Sequence, residues 1–204
     1  MKKLVFLAVI VLQSGIVFSQ QNISLTQVEK DAIIYMREEE KLARDVYDSM
    51  FVKWGGNPFG NIRHSEQVHM NRMKTLITTY QLQDPVNQAG DSQGKFVSNL
   101  LQQYYNELTA SGSQSLTAAL EAGAKIEELD IADLEERIKQ TKKQDILSTY
   151  SFLKMASENH LRAFVRRLKM QGINYKPVML NKNEFDKIIA AENDKGRMSS
   201  RNWD

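Results

Sequence analysis

The amino-acid sequence predicts an all-helical protein, built as a four-helix bundle with one long crossover connection. Only 3 prolines and 10 glycines occur in 204 residues, whereas helix formers such as Leu, Lys, Glu, Gln and Ala are plentiful. Apolar residues recur at steps of three and four along four long stretches, which is the period of an amphipathic helix. The connections between these stretches are short, long and short, an order that fits a crossover between the second and third helices.

Residues 1–19 are predicted to be a cleaved signal peptide. Lys2 and Lys3 precede the apolar run of residues 4–12, and Ser19 is a small residue at a suitable cleavage point. A membrane anchor is the alternative, but Gln, Ser and Gly at positions 13–15 interrupt the apolar run. We therefore expect an exported protein, periplasmic or secreted, with no part in the membrane after cleavage.

The composition excludes several classes of function. Without residues 1–19 the chain carries 25 basic and 25 acidic side chains, so its charge gives no reason to expect nucleic-acid binding. The chain has no cysteine, which excludes disulfides, thiol catalysis and cysteine-ligated iron sites of the iron–sulfur or rubredoxin type.

The predicted bundle occupies residues 24–180, followed by a short helix and a flexible tail in residues 181–204. The first helix covers residues 24–54, with Ser24 or Thr26 as its cap, and the second covers residues 61–80. The inner faces of these two helices are predicted to hold Val28, Ala32, Tyr35, Leu42, Val46, Met50, Ile62, Met73, Leu76 and Tyr80.

A short helix over residues 96–108 is predicted inside the crossover. The third long helix covers residues 115–138 and the fourth covers residues 143–170, with Gly172 after its end. Their inner faces are predicted to hold Leu116, Leu120, Gly123, Ile131, Leu134, Leu147, Tyr150, Leu153, Phe164 and Leu168. A last short helix is expected over residues 183–191, and residues 192–204 are expected to be loose.

Polar residues interrupt each of the four apolar faces. In the first helix Glu39 is predicted to point inward, whereas Glu38 and Glu40 have more charged neighbours and are predicted to point outward. The spacing of Glu66 and His69 places both on one face of the second helix. The third and fourth helices carry the remaining inward polar positions, which are Glu127, Asp130, Ser157 and His160.

Carboxylates and imidazoles that converge in one core predict a pair of bound metal ions, because buried carboxylates need compensating positive charge. Oxygen and imidazole ligands without thiolate suit iron or manganese, and zinc is possible. The alternatives are ordinary ones. A lone Glu-x-x-His occurs by chance, Glu40 and Arg44 could form a surface ion pair, and Asp130 could be a cap or a salt-bridge partner. Four methionines are interpreted as core filling: Met36, Met70, Met73 and Met155.

Four motifs resemble the ferritin-like family catalogued as domain of unknown function 2202. They are YMREEEKLARDVY at residues 35–47, SEQVHM at 65–70, IADL at 131–134 and SENHLR at 157–162. The similarity extends over about residues 25–180. It implies an erythrin-like bundle, distantly similar to rubrerythrin and the ferritins, and it implies no settled activity.

The general di-iron template has single Glu ligands on two helices and a Glu-x-x-His pair on each of the other two. Carried over to this chain, the template implies metal ligands at Glu39, Glu66, His69, Glu127 and His160. The second pair departs from the template, because position 157 is Ser. Asp130 is the candidate for the missing carboxylate.

The function expected from these ligands is a redox enzyme in which two iron ions react with oxygen or peroxide, of the ferroxidase or peroxidase type. Tyr35 and Tyr47 are candidate hydrogen-bond donors or radical relays beside the ligands. Without cysteine, electrons would come from ferrous substrate or from an external donor, and a homodimer is left open. The alternatives are a non-catalytic metal-binding module outside the cytoplasm and a purely structural helical bundle.

Overall fold

The computed structural model describes residues 24–200, with side chains to residue 191, and this part of the chain is all helical. It contains seven helices: α1 (Gln27–Trp54), α2 (Phe59–Thr79), α3 (Pro85–Gln88), α4 (Asn99–Gly112), α5 (Leu116–Lys139), α6 (Gln144–Met170) and α7 (Lys182–Ser200). None of the described helices is long and apolar enough to cross a membrane. The predicted signal peptide lies outside the described residues.

The helix ends follow from capping residues in the sequence. Thr26 and Glu29 form a capping box at the start of α1, where the Glu29 amide donates to Thr26 Oγ1 and the Thr26 amide donates to the Glu29 carboxylate. Ser115 caps α5 by accepting the Ala118 amide. Gly172 follows α6 with φ +78°, so the predicted glycine stop of this helix is confirmed.

Long helices that pack side by side run in opposite directions. Arg37 of α1 reaches Met70 of α2, while Arg63, early in α2, pairs with Asp48, late in α1, so these two helices are antiparallel. The same holds for α5 and α6 and for α1 and α5. Consequently α2 and α5 run parallel to each other, and the long crossover with α3 and α4 joins them.

Two hydrophobic cores lie on either side of a polar layer. The larger core includes Leu42, Val46, Tyr47, Phe59, Leu120 and Phe164. The smaller core includes Ile33, Met36, Met73, Leu134, Tyr150 and Leu153. Between them, the four long helices contribute a set that we call the acidic layer: Glu39, Glu40, Glu66, His69, Glu127, Asp130, Ser157 and His160.

Buried acidic residues fasten the crossover to α1. The Glu38 carboxylate accepts the amides of Val97 and Ser98 at 2.6 and 3.0 Å. Asp45 accepts the Gly94 amide at 2.8 Å and also pairs with Lys41. These bonds satisfy amides that precede α4 and hold the crossover over the outer side of α1.

The segment between α6 and α7 is fastened to α5 in the same way. Glu128 is fully buried, and its Oε2 accepts the amides of Val178, Met179 and Leu180 at 2.9, 2.8 and 2.8 Å. The hydroxyl of Tyr175 donates to its other oxygen at 2.7 Å. One carboxylate thus orders the chain that leads into α7.

The structure corrects several expectations from the sequence. The four-residue α3 was not predicted, α4 begins and ends later than expected, and α7 extends to Ser200. Val28 and Met155 were assigned to the core but are 53% and 51% exposed. Leu147 is only half-buried, and its neighbour Ile146 is buried instead. At Ile146 and Leu147 the apolar period fits either position, and the packing of neighbouring helices selects Ile146.

Replacing Glu128 by Ala is expected to lower the free energy of unfolding by about 2 kcal/mol or more, because three backbone amides lose their acceptor. Hydrogen exchange at the amides of Val178, Met179 and Leu180 should accelerate. Chemical denaturation and amide exchange by NMR measure both effects. Glu121→Ala, at an exposed position of the same helix, is the control and should leave both unchanged.

Candidate metal centre

Each of the four long helices supplies polar residues to the acidic layer because the apolar positions on either side of them are drawn into the two cores. The carboxylates and His69 are at most 5% exposed, and the His160 side chain is 12% exposed. The layer is therefore almost entirely removed from water, with its most accessible edge at His160 between α2 and α6.

Glu66 lies between two histidines that belong to different helices. Its Oε2 is 2.7 Å from Nδ1 of His69, and its Oε1 is 2.9 Å from Nδ1 of His160. The His160 Nδ1 and Glu66 Oε1 atoms nevertheless make no hydrogen bond of acceptable geometry. Two nitrogens thus face two different oxygens of one carboxylate, and at least one of these contacts is short without being a hydrogen bond.

Two groups of three residues bring ligand atoms close enough to hold an ion. The first is Glu40, Glu66 and His69, and the second is Glu66, Glu127 and His160. Within each group, one atom from each residue lies within 4.8 Å of the other two. Glu66 belongs to both groups, so the two positions are adjacent and share this carboxylate.

The charges of the layer determine the pKa values of the histidines. Burial opposes protonation, but the charges of Glu66 and Glu40 raise the pKa of His69 to about 11. Burial acts against His160 in the same way, and the charges of Glu66 and Glu127 raise its pKa to about 10. Burial likewise opposes ionisation of Glu66, yet the charges of His160 and His69 lower its pKa to about 2. Without other cations, two imidazolium groups therefore surround one carboxylate.

The remaining carboxylates have too little positive charge around them. Burial and the charge of Asp130 raise the pKa of Glu39 well above its ordinary value, and burial with the charge of Glu40 does the same for Asp130. Burial, opposed in part by His69, raises the pKa of Glu40 to about 7. Both oxygens of Glu39, Oε1 of Glu40 and Oδ1 of Asp130 are buried without a hydrogen-bond partner. Such oxygens require protons or cations.

Two hydroxyl groups orient carboxylates of the layer. Tyr47 is fully buried and donates its hydroxyl to Oε1 of Glu127 at 2.6 Å. Ser157 donates to Oδ2 of Asp130, which leaves Oδ1 of this aspartate free. Ser157 therefore supplies no carboxylate of its own but fixes the one that Asp130 supplies from α5.

Tyr35, the second tyrosine singled out from the sequence, lies further along α1. It is half-buried, and the guanidinium of Arg137 stacks over its ring at 4.8 Å. Burial and the charge of Glu39 raise the pKa of the Tyr35 phenol. Tyr35 interacts with the acidic layer through the charge of Glu39, whereas Tyr47 donates a hydrogen bond directly to Glu127.

The prediction that Glu38 and Glu40 point outward is wrong. Both are buried, Glu38 against the crossover and Glu40 beside His69, whose Nδ1 lies 3.2 Å from its Oε2. The suggested pair of Glu40 with Arg44 is also wrong, because Arg44 binds Asp45, Asp91 and Gln67. The crossover covers the side of α1 that carries Glu38, and α2 covers the side that carries Glu40.

Four of the ligands predicted from the sequence lie in the two groups, namely Glu66, His69, Glu127 and His160. Glu39 and Asp130 are in the same layer but in neither group. Glu40 was missed as an inward residue. The position of Glu40 four residues before Arg44 favoured a surface ion pair. The signal that could have identified Glu40 as an inward residue is its position next to Glu39, on a helix that is covered on more than one side.

Fold and site together define an all-helical protein with a buried layer of carboxylates and histidines. The chain belongs to the family described as "uncharacterized protein domain (DUF2202)", whose model matches residues 29–192. Membership of domain of unknown function 2202, which the sequence motifs indicated, is thereby confirmed.

A relative and a solved structure are similar over nearly the whole matched region. The chain is 44% identical to uncharacterized protein MJ0754 of Methanocaldococcus jannaschii over 172 residues, which is 84% of this chain and 92% of the relative. The crystal structure of hypothetical protein MJ0754 from Methanococcus jannaschii DSM 2661 matches with a TM-score of 0.79 and 45% identity, over 82% of this chain and 94% of that one. Neither description names an activity, so the function has to be argued from the site.

The metal-free protein is expected to lose stability as the pH rises from about 5 to about 9. Above their ordinary pKa values of 4.5 and 3.8, Glu39 and Asp130 keep protons in the folded chain that the unfolded chain has released. His69 and His160 act in the same direction. Their contribution is complete below the ordinary value of 6.5 and is lost as the pH passes through about 10 and 11. Thermal melts in chelator across this pH range measure the slope.

The variant Glu39→Gln should have a shallower slope, because a neutral amide holds no such proton. Glu136→Gln, at an exposed position of α5, should keep the wild-type slope. Below pH 4.5 the trend should reverse, because the stabilisation from Glu66, whose pKa is lowered to about 2, is lost with acid. A melting temperature that rises between pH 5 and 9 would contradict the protonation states described for the layer.

Proposed function

We propose that this protein is a ferritin-like four-helix bundle that holds a dinuclear iron centre and reacts with oxygen or peroxide, as a ferroxidase or peroxidase-type oxidoreductase. The observation that carries the proposal is the position of Glu66, which presents one oxygen to each of two histidines. A carboxylate with its two oxygens in two adjacent ligand groups is suited to span two ions.

The spacing of the donor atoms fits bound metal ions. Residues that would hold one ion must bring their donor atoms close together, and the donor atoms of each group lie within 4.8 Å of one another. The Nδ1 atoms of His69 and His160 lie 2.7 and 2.9 Å from oxygens of Glu66, and His160 Nδ1 lies 3.5 Å from Oε2 of Glu127. The unpartnered oxygens of Glu40 and Glu66 and the unpartnered Nδ1 of His160 also fit this interpretation.

The chemistry of the donors favours iron. Carboxylate oxygens and imidazole nitrogens without thiolate suit iron or manganese, and they also accept zinc. In the proposed centre Glu66 is shared, His69 and His160 each serve one position, and Glu40 and Glu127 complete one position each. Glu39 and Asp130 add negative charge in the same layer.

The arrangement of the helices supports the ferritin-like assignment. Two antiparallel pairs joined by a long crossover have the connectivity of ferritin-like folds, and ligands project inward from all four long helices. The chain departs from the template at Ser157, where its hydroxyl holds Asp130 in place of a carboxylate ligand from α6.

When bound, a pair of iron ions supplies the electrons that reduce oxygen or peroxide. The residues of this chain have other tasks. Tyr47 donates a hydrogen bond to Glu127 and fixes the direction of its carboxylate. The two cores keep bulk water out of the layer. His160 forms its most accessible edge, where a small oxidant could enter.

Two further parts of the proposal concern the surroundings of the protein. Since the chain has no cysteine, electrons would come from ferrous iron itself or from a separate donor protein. Export through residues 1–19 to a periplasm or to the outside of the cell remains a prediction from the sequence, and a homodimer is left open.

Elemental analysis of residues 20–204, loaded anaerobically with ferrous iron and desalted, tests the centre. We expect close to two irons per chain in the wild type and almost none in Glu66→Ala, because both positions use this carboxylate. Glu40→Ala and Glu127→Ala should each retain more iron than Glu66→Ala, because each removes a ligand from one position only. Glu136→Ala, on the surface of α5, is the control and should match the wild type.

The kinetics of ferrous-iron oxidation in air then distinguish among the candidate functions. Catalysed oxidation of ferrous iron that is lost in Glu66→Ala supports the oxidoreductase. Bound iron without turnover would favour a non-catalytic metal-binding module. Equal iron in the wild type and Glu66→Ala, or none in either, would reject the centre and leave a structural bundle.

Replacing Tyr47 by Phe is expected to lower the iron affinity about tenfold while the fold is retained, because Glu127 loses its hydrogen bond but the ring packing remains. The Tyr47 ring packs against Phe164 with centroids 5.3 Å apart, and Phe can keep this contact. Tyr35→Phe is the matched control and should have little effect on affinity. Titration with ferrous iron measures both, and a larger effect at Tyr35 would overturn the assignment.

A further inference from the structure

The outer nitrogens of the two histidines meet at one hydroxyl group. Ser65 lies one turn before His69 in α2, at the half-buried edge of the acidic layer. Its Oγ is 3.4 Å from Nε2 of His69 and 3.1 Å from Nε2 of His160. The two imidazole rings stack with centroids 5.5 Å apart and an angle of 20° between their planes. Both rings therefore have the same orientation, with Nδ1 toward Glu66 and Nε2 toward Ser65.

This geometry suits histidines that use Nδ1 for an ion. Such an imidazole carries its hydrogen on Nε2, and that N–H needs an acceptor that fixes the ring. A serine hydroxyl has two lone pairs and one proton, so its oxygen can accept from both rings.

The other neighbours of the rings do not replace this contact. Phe152 meets the His69 ring edge-on at 6.0 Å and limits its rotation without offering an acceptor. The carboxylates Glu40, Glu66 and Glu127 all face the Nδ1 sides of the two rings. Among the contacts of the described residues, Oγ of Ser65 is the common partner of the Nε2 atoms of His69 and His160.

We propose that Ser65 is a positioning residue that orients both histidines of the proposed metal centre and thereby links its two metal positions through a single hydroxyl. The inference rests on the proposed function. It distinguishes Ser65 from Glu40 and Glu127, which each belong to one position. Loss of the Ser65 hydroxyl weakens both positions together, although Ser65 is not itself a ligand.

Titration with Co²⁺ under anaerobic conditions, followed by calorimetry and visible absorption, tests the link. In Ser65→Ala the affinity of both positions should fall by about tenfold or more, with altered absorption bands from both ions. Ser65→Thr, which keeps the hydroxyl, should restore both affinities. Wild-type affinity at either position in Ser65→Ala, or an equal loss in Ser65→Thr, would overturn the proposal.

Imidazole ¹⁵N NMR of the metal-free protein provides a readout that does not depend on metal. In Ser65→Ala the Nε2 resonances of both His69 and His160 should shift, while the exposed His64 serves as an internal reference. If the wild type binds no Co²⁺, the proposed metal centre fails, and these spectra still decide the role of Ser65. A shift in both rings retains it as the residue that orients the histidine pair, and a shift in one ring or in neither rejects it.

Discussion

The acidic layer can stay inside the protein only if its negative charge is balanced, and many features of the structure follow from this constraint. Its five carboxylates outnumber its two imidazoles, and the carboxylates and His69 are nearly inaccessible to water. Protons on the histidines and on Glu39, Glu40 and Asp130 restore the balance when no ion is present, which is why the pKa values of these groups are raised. Metal ions would restore it by replacing those protons.

Adjacent acidic residues of one helix face different parts of the molecule. In α1, Glu39 and Glu40 enter the acidic layer, whereas Glu38 accepts backbone amides of the crossover. In α5, Glu127 enters the layer, and Glu128 holds the segment before α7. The outer carboxylates have backbone hydrogen bonds and the inner ones largely lack them. A glutamate therefore either has a structural role or is available to bind a ligand, depending on the side of the helix that it occupies.

The sequence predicted the long helices and most of the layer, and its failures have a common cause. Periodicity identifies one buried face of a helix, and it found Glu66 and His69 because their spacing places both on that face. It misplaced Glu38 because the crossover covers a second side of α1, and Glu40 because α2 packs against it. Local charge patterns encode neither of these long-range contacts. The role of Glu128 was missed for the same reason. The acceptor function of Ser65 needs the relative placement of α2 and α6, which no spacing within one helix contains.

The division of the interior into two hydrophobic cores has a consequence for cooperativity. The four long helices pass through both cores, and the acidic layer lies between the cores, where Tyr35 packs against both. Side chains of the layer add polar connections between the helices at mid-height, and these connections depend on the balance of their charges. We therefore expect neutralisation of the layer, by protons or by ions, to strengthen the coupling between the two halves of the molecule during unfolding.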